Sequence, residues 1–342
     1  MSALPVTSDD RLIWDAWLAQ YRLPVLTVAD EVGLFGPLSA RALLTEELAA
    51  ELHLDARALG IHLSALAAMG FVERRELRWR ASAAARTWLH PQAEGYQGPL
   101  LTGLNFRGNQ PLHALLLATL HSGTRPEGMV SAVNEWERGA LPAALAKSIT
   151  ALMHAHSRAA ARAVAAQPIF AGVRRLLDVG GGSAIFSIEL VRSLPRLSAT
   201  VMEIEAICAE ANAYIAAAGA AGRVQTQAVN MFTQDWPRGY DAHFFSNIFH
   251  DWSEATCRML AQQAFTALSA GGTIILHEML MDDDGCGPYA AAAFSLMMLL
   301  GTRGRQYSLP ELRKILEGVG FEAVEACSVG SGYYSLVTAR KP

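Results

Sequence analysis

Residues 176–184 read Leu176-Leu177-Asp178-Val179-Gly180-Gly181-Gly182-Ser183-Ala184 and run directly into an apolar helical stretch, Ile185 to Leu194. A short apolar strand, an acid, a glycine turn and a helix start form a pocket of free backbone N–H groups, suited to an anionic or polar ligand. Gly180 and Gly182 carry no Cβ, so the main chain can come close to that ligand. A plain tight connection between strand and helix would read the same way. Glu203 decides between the two: it ends the next apolar strand, Ala199 to Met202, about twenty residues on, where a nucleoside-binding fold needs an acid for the ribose hydroxyls.

Working outward from this stretch, apolar strands at Arg175–Val179, Ala199–Glu203, Val224–Val229, Ala242–Ser246 and Thr273–His277 alternate with helices at Ile185–Leu194, Ala206–Ala218, Glu254–Leu268 and Tyr289–Leu300. A last helix, Leu309 to Glu317, precedes two strands, Phe321–Ser328 and Tyr333–Ala339, joined by the short turn Gly330-Ser331-Gly332. So short a turn forces antiparallel pairing, whereas the helical crossovers force parallel pairing. The pattern predicts an α/β half with a mostly parallel sheet of seven strands and a C-terminal antiparallel hairpin.

The first half is different. Ile13, Trp14, Trp17, Leu18 and Tyr21 recur at helical spacing over Arg11 to Asp30, and so large an apolar face on a terminal helix needs a cover, for which a second subunit is the expectation. Thr45-Glu-Glu-Leu starts a helix, Asp55 starts another that runs to Met69, and Phe71 to Ala81 reads as a small hairpin. Helix, turn, helix and hairpin resemble a winged helix, which raises DNA binding as a rival function. The charges weigh against it, since Arg57 is offset by Asp55, and Arg74, Arg75, Arg78 and Arg80 of the hairpin read as a solvated edge. From Gln97 to about Ala166 the pattern is helical, and Gln167-Pro-Ile-Phe-Ala-Gly predicts a boundary between domains at 1–168 and 169–342.

Composition bounds the rest. The chain has 342 residues, 51% of them hydrophobic, enough for two cored domains, and its net charge of −4 gives no reason to expect a polyanionic partner. No apolar run reaches about 18 residues, and the N-terminus lacks a basic segment before an apolar one, so a cytoplasmic protein without membrane or nucleic-acid partners is expected. Cys208, Cys257, Cys286 and Cys327 have no paired metal-ligand spacing and read as reduced thiols.

Several ordered motifs resemble the class I S-adenosylmethionine-dependent methyltransferases, and within them the two-domain small-molecule O-methyltransferases, a group that includes plant caffeic-acid-type and bacterial natural-product enzymes. Leu177-Asp178-Val179-Gly180-Gly181-Gly182 resembles the cofactor loop, and Val201-Met202-Glu203-Ile204 the strand whose acid holds the ribose. Asn230-Met231-Phe232 falls where the family has Asp-Met or Asp-Phe beside the adenine. Ser246-Asn247-Ile248-Phe249-His250-Asp251-Trp252 resembles the segment of the catalytic histidine. Met153-His154-Ala155-His156-Ser157 resembles a helix that reaches both cofactor and substrate.

The resemblance implies a Rossmann-like catalytic domain behind a mainly α, winged-helix-like dimerisation and lid domain, and a homodimer using S-adenosyl-L-methionine. Asp178, Gly180, Gly182, Glu203, Asn230, Met231, Phe232, Ser246 and Ser157 would hold the cofactor. Met153, His156, Phe294 and Met298 would line the substrate cavity, and His250, Glu278 and Asp251 would form the catalytic group. No metal site is expected. The sequence departs from the family at Asn230, at Gln306, where plant members keep a glutamate, and at Gly301, where plant relatives often have histidine.

Methyl transfer from a sulfonium is an in-line displacement, so the protein must align the reactants in a dry cavity and remove one proton. His250 suits that removal by its ordinary pKa and its place at a strand's C-terminal end, with Glu278 at the matching end of the next strand. A histidine capping the Asp251-Trp-Ser-Glu helix is the competing reading. His154 and His156, two apart on a helix, point to different faces, and His277 alternates away from Glu278. The expected reaction is methylation of a hydroxyl on a small aromatic or enolisable metabolite. The alternatives are C-methylation of a 2-oxo acid through its enol, perhaps aided by a metal, and, more distantly, a ligand-sensing DNA-binding regulator.

Overall fold

A computed structural model describes residues 10–98, 101, 111–124, 133–330 and 333–342. They divide into two compact units, one of Met1–Arg11, Ser131–Leu280 and Leu309–Pro342, the other of Leu12–Val130 and Met281–Ser308.

The second of these units is helical, with α1 (Arg11–Leu18), α2 (Arg22–Glu31), α3 (Phe35–Ala40), α4 (Thr45–Leu52) and α5 (Ala56–Ala68), then the antiparallel pair β1 (Val72–Arg75) and β2 (Arg78–Ala81), then α6 (Ala83–Trp88) and α7 (Pro111–Ser122). Asp55 caps α5 by accepting from the Ala58 N–H (2.8 Å), and Glu47 accepts from the Leu44 N–H at the start of α4. Two of the hairpin arginines read as a solvated edge, and Arg57 of α5, are tied down. Arg78 pairs with Glu47 at 2.8 Å, Arg74 donates to the Asp284 carbonyl and lies over Trp79, and Arg57 donates to the carbonyls of Arg303 and Gly304. Residues 102–110, within the stretch read as helical, and the residues preceding Asp10 lie outside the described residues.

The first unit carries α8 (Val133–Arg138), α9 (Ala143–Ala165), β3 (Arg175–Val179), α10 (Ile185–Ser193), β4 (Ser198–Glu203), α11 (Glu205–Ala217), β5 (Val224–Ala228), β6 (Ala242–Ser246), α12 (Glu254–Ala267) and β7 (Thr273–Met279). Helix α13 (Tyr289–Gly301) belongs to the other unit, and α14 (Leu309–Glu317), β8 (Glu322–Val329) and β9 (Tyr334–Arg340) return to this one. The seven strands are ordered β5-β4-β3-β6-β7-β9-β8, parallel except for β9, which runs antiparallel to both neighbours. This is the predicted sheet. Of the predicted hairpin turn, Ser331 and Gly332 lie outside the described residues.

Two expectations change. The boundary near residue 168 falls inside the first unit, because Ala161, Val164 and Ala165 of α9 join the same core as Leu176, Ile188, Val201 and Phe244. The break at 167–172 is only a local turn, Pro168–Phe170. The apolar stripe of α1 also divides: Trp14, Leu18 and Tyr21 are buried, Trp14 against Phe294 with ring centres 5.4 Å apart, and the Tyr289 hydroxyl donates to the Leu18 carbonyl. Leu12, Ile13 and Trp17 face outward, at 81%, 73% and 43% exposure. An α13 that is apolar on nearly every face needs neighbours on every side, and α1 supplies one. Among the described residues no helix is long and apolar enough to cross a membrane.

Candidate active site

The site is built at the C-terminal ends of β3, β4, β6 and β7, where an open parallel sheet leaves its crevice. β3 ends in a left-handed glycine turn, Gly180 at φ +66° and Gly182 at +53°, and Ala184 at +64° opens α10. The glycines differ in what they allow. A Cβ at Gly180 would lie 2.5 Å from the end of Ile248, and one at Gly181 would lie 2.6 Å from the Asp178 carboxyl carbon, whereas one at Gly182 would meet nothing within 4 Å. Gly182 is thus the residue of the loop that faces open space, and the need for Gly181, absent from the sequence-based set, is packing.

Asp178 sits beneath this loop, fully buried, and its Oδ2 accepts from the Ser187 hydroxyl at 2.6 Å, which ties strand to helix. Burial pushes its carboxyl up to about 6 against that hydrogen bond. Its Oδ1 has no partner among the described residues. Glu203, at the end of β4, reaches the loop directly: the Gly182 N–H donates to its Oε1 (3.3 Å) and the Ile204 N–H to its Oε2 (3.0 Å). Burial, opposed by those two N–H groups, pushes Glu203 up to about 7. A carboxyl so placed, with no cation beside it among the described residues, is suited to a diol that donates two hydrogen bonds, and the open space at Gly182 leaves room for one. On this test the residues fit S-adenosylmethionine.

Asn230 follows β5. Its Oδ1 accepts from the Phe232 N–H (2.9 Å), and its Nδ2 donates to the Glu137 carbonyl (2.8 Å). The amide oxygen therefore spends one lone pair on a local turn and has one left for a ligand. Met231 is partly exposed, and its carbonyl accepts from the Trp236 indole. Phe232 meets Trp252 edge to face at 4.6 Å, joining this loop to the segment of the predicted catalytic histidine.

On α9, Ser157 is buried with its hydroxyl 3.2 Å from His156 Nδ1; burial brings His156 down to about 4. Met153 is partly exposed on the same helix. His154 points elsewhere, as its spacing predicts, yet it clasps the glycine turn: its Nδ1 lies 3.0 Å from Ser183 Oγ and its ring stacks on Tyr214 at 4.2 Å. Nothing in the sequence pairs residues 154 and 183. Phe294, Met298 and Gln306 belong to the other unit. Phe294 and Met298 are buried there, and the Gln306 N–H donates to Ser295 Oγ while neither side-chain polar atom of Gln306 has a partner among the described residues.

β6 ends at Ser246, after which Asn247 takes a left-handed conformation (φ +56°) and the chain makes one 3-10 turn, Phe249–Asp251. That turn buries His250. Its Nδ1 lies 2.8 Å from Glu278 Oε2 at the end of β7, and Asp251 Oδ1 stands 3.7 Å from its Nε2. The other oxygen of Glu278 accepts from the Ile248 and Phe249 N–H groups, at 3.0 and 2.8 Å. Burial pulls the imidazole pKa down, but the Glu278 and Asp251 carboxylates outweigh it and leave His250 above its ordinary value. Asp251, a third exposed, rises to about 6, burial outweighing the attraction of His250. Nδ1 thus faces Glu278 at ion-pair distance, and Nε2 is the ring atom on the side of Asp251. The cap of the following helix is Ser253, whose hydroxyl accepts from the Thr256 N–H, so the helix-capping reading of His250 does not apply.

Among the described residues no three His, Cys, Asp or Glu side chains gather as metal ligands would.

Residues 125–322 match the family described as the O-methyltransferase domain. The chain is 35% identical to 3-hydroxy-5-methyl-1-naphthoate 3-O-methyltransferase of Streptomyces sahachiroi, over 96% of this chain and 94% of that protein. Its fold is similar to that of an O-methyltransferase family 2 protein from Planctomyces limnophilus, solved in complex with apigenin, at a TM-score of 0.85 and 23% identity over 99% and 98% of the two chains. It is also similar to human N-acetylserotonin methyltransferase, solved with S-adenosylmethionine, at a TM-score of 0.62 and 20% identity over 99% of each chain. Full-length similarity to a relative and a match over the greater part of the chain agree with the motifs at residues 177–182, 201–204 and 246–252: the chain belongs to the O-methyltransferase family, whose cofactor is S-adenosylmethionine.

Proposed function

We propose that the chain methylates a hydroxyl of a small aromatic metabolite, with His250 as the general base. The observation that supports this reading is the 2.8 Å ion-pair contact between His250 Nδ1 and Glu278 Oε2, which favours a proton on Nδ1 and turns Nε2 to the acceptor. S-adenosylmethionine, when bound, supplies a methyl group on a sulfonium. Glu203 takes the ribose hydroxyls, Gly180 and Gly182 lie along the methionine portion, the Ser157 and Ser246 hydroxyls give further polar contacts, and Asn230, Met231 and Phe232 frame the adenine. Asp178 supports the loop through Ser187. His250 Nε2 takes the acceptor's proton as the oxygen attacks, Glu278 holds the ring and stabilises its positive charge, and Asp251 adds negative charge at Nε2. An aromatic acceptor is supported by the 35% identical relative, whose name gives a hydroxynaphthoate as its substrate.

Met153, His156, Phe294 and Met298 are the proposed substrate-facing residues, and a homodimer is proposed through Leu12, Ile13 and Trp17, whose exposed apolar surface calls for a cover. The test is methyl transfer from labelled S-adenosylmethionine to 3-hydroxy-5-methyl-1-naphthoate and a panel of phenols, with product NMR. A new methyl on oxygen supports the reading, and a new methyl on carbon overturns it.

A further inference from the structure

The turn that carries His250 is held from two sides, and only one belongs to the machinery described so far. On one side Glu278 accepts from the N–H groups of Ile248 and Phe249. On the other, the Tyr334 hydroxyl, at the start of β9, donates to Asn247 Oδ1 at 2.9 Å. Asn247 is the left-handed residue at which the chain leaves β6. Its own N–H donates to the His277 carbonyl (3.1 Å), and its Nδ2 lies 3.4 Å from Ser246 Oγ, which is 2.9 Å from His277 Nδ1. The Tyr334 ring stacks on the His277 ring, 4.6 Å apart and 11° from parallel.

All these groups are buried or nearly so. His277 is held neutral, its pKa brought down to about 3 by burial and by His156 and His250 nearby. Burial with Glu278 close by raises the Tyr334 phenol well above its ordinary value, so it stays a donor. Both shifts keep the network's protons in place around neutral pH, so its part is to hold geometry.

We propose that Tyr334 is a positioning residue for the reaction: its hydroxyl, through Asn247, holds the left-handed step that presents His250 to Glu278. An L-residue with φ near +56° is strained unless something fixes it, and asparagine is among the few types that tolerate it. Without the tyrosine hydroxyl, the Asn247 side chain can turn to pair with its own backbone, and the peptide groups of Ile248 and Phe249 lose their fixed register on Glu278. The proposal rests on the assignment of His250 as base, but it concerns the turn and can be tested without substrate.

The experiment uses the full chain labelled with 15N and with 13C-histidine. In Tyr334→Phe, which keeps the ring stacked on His277, amide exchange at Ile248 and Phe249 should quicken about 5- to 10-fold while β3 amides keep their protection. The His250 ring should titrate closer to its ordinary value as its contact with Glu278 loosens. In Asn247→Gly, which adopts the left-handed step without help, the further change Tyr334→Phe should add little, so that the two substitutions are coupled. Unchanged exchange and an unchanged His250 titration in Tyr334→Phe overturn the proposal, as do independent effects in the double variant. Should His250→Ala retain full turnover, the base assignment falls instead, and the exchange result on the turn still decides the clamp.

Discussion

The Gly182 N–H donates to Glu203 Oε1 across 3.3 Å, so the acid proposed to take the ribose is already bonded to the loop residue that faces open space. Among the described residues its carboxyl has no positive neighbour, and burial pushes its pKa up to about 7. The sign follows from linkage. The folded state holds this proton more tightly than the unfolded chain, so the stability contributed is full below the ordinary value of 4.5 and is lost as pH rises through about 7.

Ribose hydroxyls donate to the ionised form, so cofactor binding should drive the proton off Glu203. Calorimetry at about pH 6 in two buffers of different ionisation enthalpy should show proton release that fades by about pH 8. Identical heats in both buffers at the lower pH would contradict this role. Glu203→Ala should weaken cofactor binding by about 1.5–3 kcal/mol for each charge-assisted bond lost.

Removing the charge on Glu278 should lower the pKa of His250 and shift the acid limb of the kcat/KM profile to lower pH. Burial and carboxylates compete on this ring, and the carboxylates prevail only while Glu278 is charged. Glu278→Gln keeps an acceptor for Nδ1–H, so its kcat should fall less than that of His250→Ala, for which a loss of about 10²–10⁴-fold is expected with cofactor affinity nearly unchanged. A pH profile in Glu278→Gln that overlays the wild type would count against the pair.

The two glycines Gly181 and Gly182 should fail differently. A methyl at Gly181 strikes Asp178, so Gly181→Ala should lower the melting temperature. Gly182→Ala meets no protein atom but carries a positive φ, worth about 1–2 kcal/mol of strain, and narrows the space the cofactor needs. Its larger effect should be on cofactor affinity, read by calorimetry beside a thermal scan. Equal loss of affinity in both would refute the distinction.

Trp17→Arg together with Leu12→Asp should turn a dimer into a monomer in sedimentation velocity at micromolar concentration, without unfolding the chain, because both side chains are exposed. A wild-type chain that already sediments as a monomer rules out this interface.

The sheet was legible because it depends on local pattern, whereas the pairing of His250 with Glu278 came from the family resemblance, since nothing local joins residues at the ends of two strands. β3 and β6 are buried on both faces and read as short apolar runs, and a turn between two strands as short as residues 330–332 dictates antiparallel pairing. The allocation of residues 281–308 was not legible, since an all-apolar helix announces that it is buried without saying against what. Asp178 was visible as an acid, yet its direction, down to Ser187, depends on where α10 packs. Tyr334 reads as one more aromatic in an apolar strand, and its partner Asn247 is 87 residues away in sequence. The spacing of His154 from His156 turns it to another face of its helix, and only the tertiary fold brings it to Ser183.

The division of the chain into units bears on the order in which it can fold. The chain quits the sheet unit after Leu280, contributes Met281–Ser308 to the helical unit, and comes back at Leu309. β9 then inserts between β7 and β8, so β8 joins the sheet only through the strand that follows it. During synthesis the helical unit cannot enclose its core until residue 308 has emerged, and by then all strands of the sheet but β8 and β9 are made, with an open edge at β7. Nascent chains thus carry two unfinished cores at once, and the exposed edge of β7 is the surface a chaperone would have to guard until the last hairpin docks.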